Sequence, residues 1–461
     1  MNRIRIFFAA IILSFSAIGA DINVPNGQSI GDALAGAVDG DRIILESQAL
    51  YDERVRCIKS VEFVGNGARV SQFSFEAPNI TLKNAKLGKN GLTPGSQVLT
   101  VGRGAHNSVI ENVQIDLGFQ DVVFGIYFRT SQDKPFGDDA PSNCIVRNVE
   151  IKNGRATTML TIAGDNNVFR DLWIHDGQNI DFIRIFGRNN LIENSLFENQ
   201  MYVAELGNHP DFIQTFGDNS DGSLDHIIRN NVIRHIRQGQ ICQLTNALLP
   251  QIGGFVFYNN IFYDIDLQAS CSIPNVKWFN NLFSNCNLVN QGHVLALGSR
   301  DYTEATSYDG TIGTSYAHGA QVVNNIFWNN GNLDSDNAGW YGMEAGLNNL
   351  FANNNFVSKN GNPVRAGTVH VNDPNYGFND TFRFSDPNGI NGGFPGFRDL
   401  GGHDFHLTPT SILIDRGIFS AIVEGDHDGK ARMNQFDIGP YEFSASLLNK
   451  PFNLQLLRYN Q

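Results

Sequence analysis

One pattern recurs ten times along this chain, at intervals of a few tens of residues. It reads "NSVIENVQIDLG" at 107–118, "NCIVRNVEIKNG" at 143–154, "NNVFRDLWIHDG" at 166–177, "LDHIIRNNVIRHI" at 224–236 and "PNVKWFNNLFSNC" at 274–286. The other copies fall at 79–88, 189–200, 253–265, 320–331 and 348–361. Within each, apolar residues alternate at period two, so each copy is a pair of short strands with Asn or Asp at the bend between them. A repeat this short cannot bury its own apolar face and must stack on its neighbours. The expected fold class is therefore all-β, a single-stranded right-handed parallel β-helix (a solenoid). Asn suits the recurring bend because it tolerates the left-handed backbone region and its amide can bond the same residue one coil away. The alternative, an antiparallel sandwich, predicts Gly/Pro hairpin turns and no fixed period.

The ends fit the same reading. "QSIGDALAGAVDGDRIILE" (28–46) predicts an N-terminal capping helix followed by a strand, which would block edge pairing at the open first coil. Ahead of it, "MNRIRIFFAAIILSFSAIGA" has Arg3 and Arg5, an apolar stretch and then small residues, the pattern of a secretory signal peptide over 1–20. That stretch is too short to span a bilayer. The expected organisation is a signal peptide (1–20), a solenoid (21–400) and a capping segment that closes its far end (401–461), with the mature chain secreted or periplasmic and monomeric. This opening is similar to the start of many secreted pectate-lyase-like proteins. "GGHDFHLTPTSILIDRG" (401–417) and "DHDGKARMNQFDIGPYEF" (426–443) resemble the closing segment of exported bacterial β-helix proteins.

Charge narrows the partners. The formal net charge is −13, and losing the signal would strip two Arg and no acid. Such a chain is not expected to bind nucleic acid or an anionic membrane surface by general electrostatics. The five Cys (57, 144, 242, 271 and 286) show no zinc-site spacing and read as small buried residues. Cys242 and Cys271, one repeat apart, are candidates for stacked neighbours.

The strands preceding the Asn segments align as "TMLTIAG" (158–164), "DFIRIFG" (181–187), "DFIQTFG" (211–217) and "QICQLTN" (240–246). Their third residues, Leu160, Ile183, Ile213 and Cys242, form an inward apolar column. The first and fourth residues then face outward in two polar columns: Thr158, Asp181, Asp211, Gln240 and Thr161, Arg184, Gln214, Gln243. Carboxylates one coil apart repel unless a cation or a proton lies between them. The bland account is a solvated stripe in which Arg184 merely neutralises the two Asp.

"NIDFIRI" (179–185) and "HPDFIQT" (209–215) resemble the outward, Asp-bearing strands of pectin-degrading enzymes in the pectate-lyase-like superfamily. "HPDFIQ" is similar to a His-x-Asp-x-Ile-Gln pattern in exported β-helix proteins that include polysaccharide lyases and alginate epimerases. The resemblance implies an acidic polysaccharide substrate. An Asp-Asp, a Gly-His-Gly and an Arg-Ile-Lys at the spacing characteristic of polygalacturonase-type hydrolases do not occur together, and "GHVLALGS" (292–299) lies far from Asp181.

A uronate-processing enzyme must neutralise the sugar carboxylate, remove the adjacent C5 proton and protonate the leaving oxygen. Arg184 is the expected neutraliser, alone or with a Ca²⁺ held by Asp181 and Asp211, whose hard oxygens suit that ion. His209 is the expected base and Tyr202 the acid, while Arg129 and Tyr127 extend the lining one coil earlier. The loop 130–142 is expected to wall the groove. The leading expectation is a polysaccharide lyase acting by β-elimination, with a uronate C5-epimerase as its near neighbour. A glycoside hydrolase using Asp181 and Asp211 is second. A non-catalytic adhesive solenoid is the reading from another class.

Overall fold

A computed structural model describes residues 19–88, 91–129, 140–207, 210–215, 222–245, 252–288, 294–297, 299–302, 313–330, 341–343, 350–357, 369–370, 381–382, 386, 388–432 and 435–444. The chain is a right-handed parallel β-helix whose coils each present three strands. Face one runs through Ile227–Arg229, Val256–Tyr258, Lys277–Phe279 and Gln321–Val323. Face two runs through Val232–Ile236, Ile261–Ile265, Leu282–Cys286 and Ile326–Trp328. Face three holds Phe124–Phe128, Thr158–Ile162, Asp181–Ile185, Asp211–Thr215, Gln240–Leu244 and Ala269–Cys271. Every pairing between coils of this ladder is parallel, which rules out the sandwich.

The Asn residues form two kinds of ladder. At the outer bend between faces one and two, Asn84, Asn112, Asn148, Asn230, Asn259, Asn280 and Asn324 all adopt φ between +51° and +58°. The Asn112 amide donates to Asn84 Oδ1 at 3.0 Å, and Asn259 donates to Asn230 Oδ1 at 3.2 Å. The next residue in each later coil turns inward. Asn231, Asn260, Asn281, Asn325 and Asn354 are fully buried. Each of the last four accepts, through Oδ1, the backbone N–H of its counterpart one coil earlier at 2.9–3.1 Å. Bend N–H groups that the strand ladders cannot reach are thereby satisfied inside the core. At the bend between faces three and one, Asn167 and Asn190 do the same work, and His226 takes the next place, its Nδ1 accepting from Asn190 N–H at 3.2 Å.

Aromatic rings fill the interior. Phe257 stacks on Trp278 at 4.0 Å, and Phe283 on Phe327 at 4.9 Å, each pair contributed by adjacent coils. At the N-terminal end a helix, Ile30–Gly36, turns Ile30 and Leu34 inward. Ser29 caps it, the Glu53 carboxylate accepts Ile30 N–H at 2.6 Å, and Lys59 donates to the carbonyls of Leu34 and Ala35.

The described part of the C-terminal segment, 401–432 and 435–444, lies along the flank of the solenoid. Phe405, Leu407, Leu413, Ile438 and Tyr441 pack on the outward side of face two, against Leu196, Val232, Ile261, Leu282 and Ile326. Val423 and Phe436 pack on face one. The outer Asn ladder holds the backbone of this segment: Asn259 donates to Gly425 O at 2.7 Å, Asn280 to Asp437 O at 3.1 Å, Asn324 to Ile418 O at 2.8 Å. "DHDG" (426–429) is a self-capped turn, in which Asp426 Oδ1 accepts from Asp428 and Lys430 N–H.

Candidate functional site

Face three carries one outward column in continuous register over ten coils: Arg56, Ser74, Thr100, Tyr127, Thr161, Arg184, Gln214, Gln243, Ser270 and Ala296. The inward column runs beside it as Ile126, Leu160, Ile183, Ile213, Cys242 and Ala269. Simple alternation fails at the start of each strand. Phe182 and Ile183 are both fully buried, as are Phe212 and Ile213. The extra inward residue brings the first and fourth positions together. Arg184 Nε donates to Asp181 Oδ2 at 2.7 Å, Thr100 Oγ1 donates to Gln97 Oε1 at 3.3 Å, and the Phe124 and Tyr127 rings meet edge to face at 5.3 Å. Phe124 escaped the sequence reading, although the three-residue offset of Asp181 and Arg184 would have found it.

The two carboxylates are not the solvent-facing pair that their column suggested. Asp181 is 4% exposed and Asp211 fully buried. Asp181 takes Arg184 on one oxygen and Asp211 backbone N–H on the other, at 3.2 Å. Both oxygens of Asp181 thus accept N–H donors, one from a guanidinium and one from the backbone of the next coil. Among the described residues no group of three or more His, Cys, Asp or Glu is placed to hold a metal ion. The Asp181–Arg184 pair is charge-assisted and its acid side is dry, so the guanidinium is held in one place at the strand centre.

Around the pair, Gln214 Nε2 donates to Gln243 Oε1 at 2.7 Å, a short amide ladder on the next two coils. Thr158, opposite Asp181, and Thr161, between Tyr127 and Arg184, are buried, and neither hydroxyl has a hydrogen-bond partner among the described residues. Gln240 stands opposite Asp211, and its Oε1 likewise has no partner among the described residues. Arg129, just past the Phe124–Phe128 strand, is exposed and lies near enough to Glu76 to lower that carboxyl's pKa, after the larger effect of Arg56. Tyr202 is 38% exposed. It precedes Val203, whose N–H and C=O are both bonded by the Asn179 side chain, two residues ahead of Asp181. His209 and loop residues 130–139 lie outside the described residues.

Behind the floor, Cys242 and Cys271 are free thiols with Sγ atoms 3.7 Å apart. They are diagonal neighbours, since Cys242 pairs with Ala269 and Leu244 with Cys271.

No protein-family model and no curated protein sequence matches this chain. Among solved structures, a PL6 family polysaccharide lyase from Pseudopedobacter saltans is similar with a TM-score of 0.44 and 15% identity, over 72% of this chain and 92% of that one. The PL6 family alginate lyase AlyGC gives 0.43 and 16%, over 74% of this chain but only 48% of its own length. A complex of XylC with xylose gives 0.48 and 10%, over 92% and 98%. None reaches a TM-score of one half, and such likenesses assign no activity to this chain.

Proposed function

We propose that the outward side of face three is the floor of a glycan groove. On this reading the protein is an exported polysaccharide-active enzyme that cleaves a uronate-containing glycan by β-elimination. The observation that carries the proposal is the outward column from Tyr127 to Ser270, in which Arg184 is the single charged member, fixed by a buried carboxylate. A fixed guanidinium flanked by uncharged hydrogen-bonding side chains suits a sugar carboxylate. It would stabilise the enolate-like charge that develops when the C5 proton leaves.

In the reaction, a base takes the C5 proton, the C4–O bond breaks and a C4=C5 double bond forms. The leaving oxygen gains a proton, and no water is consumed. Arg184 holds the carboxylate. His209 is assigned as base from its place two residues before Asp211, and Tyr202 as acid from its exposure beside the Asn179-locked turn. Tyr127, Arg129, Gln214, Gln240 and Gln243 are assigned to the sugar rings and hydroxyls. Export through residues 1–20 would bring the enzyme to such a substrate. A C5-epimerase shares the first half of this chemistry and differs in returning the proton to the opposite face.

The buried state of both Asp disfavours hydrolysis, which needs two carboxyl groups reaching the glycosidic bond. The test is a panel of acidic glycans, with and without EDTA, followed by ultraviolet absorbance for unsaturated ends and by a reducing-end assay. Absorbing products support elimination. Reducing ends without absorbance would replace it with hydrolysis, and proton exchange at C5 without cleavage would indicate epimerisation.

A further inference from the structure

The outward side of face three changes chemistry at one rung. Phe124 and Tyr127, first and fourth in their strand, are both aromatic and half-buried, and their rings meet edge to face at 5.3 Å. The rungs on either side are polar at the same places, Gln97 and Thr100 on one and Thr158 and Thr161 on the other. Among the described residues from Ser74 to Ala296, Tyr127 is the one aromatic member of the outward column. Face two shows what outward apolar residues otherwise do in this fold. Leu196, Val232 and Ile261 lie beneath the flank segment, and on earlier coils the same column turns polar at Gln114 and Glu150. Neither Phe124 nor Tyr127 belongs to the apolar clusters that the described flank residues cover.

One side of a pyranose presents aliphatic C–H groups, whose slightly positive hydrogens are drawn to the negative face of an aromatic ring. The guanidinium of Arg184 is tied to Asp181 on its own coil, two strand spacings from the aromatic rung, roughly 10 Å along the axis. A six-membered ring built from ~1.5 Å bonds is about 3 Å across. A sugar on the rung and a sugar whose carboxylate meets Arg184 are therefore different units of one chain. Between them, Thr161 brings a hydroxyl with no hydrogen-bond partner among the described residues. We infer that Phe124 and Tyr127 form a stacking subsite for a sugar ring remote from the bond that breaks. The glycan then lies along the solenoid axis, from this rung over Thr161 to Arg184, rather than across the face. Phe124 becomes a specificity-determining residue of the proposed reaction, and its role rests on face three being the glycan groove.

The test reads binding separately from cleavage. The full chain is run through native gels containing alginate, polygalacturonate or hyaluronan, and the polymer that retards it most is used for turnover. Phe124→Leu keeps an apolar side chain but removes the ring. It should weaken retardation and raise KM by about fivefold, with kcat and melting temperature unchanged. Phe124→Trp should bind at least as tightly as the wild type. Retardation of Phe124→Leu equal to that of the wild type overturns the subsite and leaves the groove standing. Weaker binding by both variants, in step with a lowered melting temperature, also overturns it, because packing rather than stacking would have been lost. A loss confined to kcat in Phe124→Leu would set the ring beside the reacting bond and overturn the axial placement. A wild type retarded by none of the three polymers overturns the subsite together with the groove. Retardation lost in Phe124→Leu, with no unsaturated product from the wild type, would uphold the subsite while removing the elimination reading.

Discussion

Arg184 reaches back three residues along its own strand to place Nε 2.7 Å from Oδ2 of Asp181, and the other oxygen of Asp181 accepts the backbone N–H of Asp211 one coil on. The carboxylate is dry and the guanidinium one-third exposed, so the pair ties a surface cation to a buried anchor. Two coils are thus coupled through one side chain.

Removing the cation leaves a buried charge without its ion partner, whereas neutralising the acid leaves an amide that still accepts a hydrogen bond. Arg184→Ala is expected to cost about 1–3 kcal/mol of unfolding free energy, and Asp181→Asn less. On the proposed reaction both should lose activity, Asp181→Asn by about tenfold or more in kcat/KM because the guanidinium is no longer fixed. Urea unfolding beside the product assay separates these effects. Full activity in Asp181→Asn would remove this pair from the mechanism.

The inward column of face three was legible in the sequence because Leu160, Ile183, Ile213 and Cys242 keep their apolar character at the third position of four alignable strands. Burial of Asp181 and Asp211 was not, since exposure depends on what lies over a residue as well as on its parity. The packed positions of Phe182 and Phe212 break the parity itself. The flank contact was hidden for a different reason: Asn259 meets Gly425 across 166 residues and Asn324 meets Ile418 across 94, and no local pattern records such a pairing. Asn at the bends predicted the backbone conformation correctly, but some of the same amides also hold a second layer.

His406 sets an alkaline limit on that layer. It lies between Asp404, at 2.5 Å, and Asp428, at 2.8 Å, and stacks on Tyr441 at 3.9 Å. Burial opposes its charge, but the two carboxylates overcome that and raise its pKa to about 9. A histidine raised in the folded state stabilises fully below its unfolded value near 6.5 and loses that contribution as pH climbs through 9. Up to about 3 kcal/mol should disappear between pH 6.5 and 9.5, seen as a falling melting temperature. His406→Gln should be less stable near pH 6 and flat across this range. A wild-type curve that does not fall would contradict the ion pairing.

His226 works in the opposite direction. Its Nδ1 accepts Asn190 N–H, so Nε2 carries the proton and donates to Ser223 Oγ at 3.1 Å, which in turn donates to Ile185 O at 3.0 Å. Burial lowers its pKa to about 3. Below pH 6.5 the unfolded chain binds a proton that the folded chain refuses, so stability falls as pH drops towards 3. Asn occupies the equivalent place at 167 and 190. His226→Asn should therefore keep the ladder and flatten the acid limb in urea unfolding at pH 4 against pH 7. An unchanged acid limb would show that other groups control it.

The two Asn ladders should fail differently. Asn281 accepts Asn260 N–H at 2.9 Å and donates to Phe257 O at 3.0 Å from a fully buried site. Asn281→Ala strips a backbone N–H and a backbone C=O of partners at once, in the middle of the stack, and opens a void where the amide stood. The expected cost is about 3–5 kcal/mol, felt by the whole cooperative unit. Asn324 faces the flank segment, donating to Ile418 O at 2.8 Å and accepting Ile418 N–H at 3.0 Å, with φ at +58°. Asn324→Ala pays for the left-handed backbone, about 1 kcal/mol, and also releases the segment at that point. Its global unfolding should shift modestly, while limited proteolysis between 416 and 424 should accelerate several-fold. Asn324→Gly relieves the backbone without restoring the amide. It should recover global stability but not protease resistance, and if it recovers both, the amide does not hold the flank.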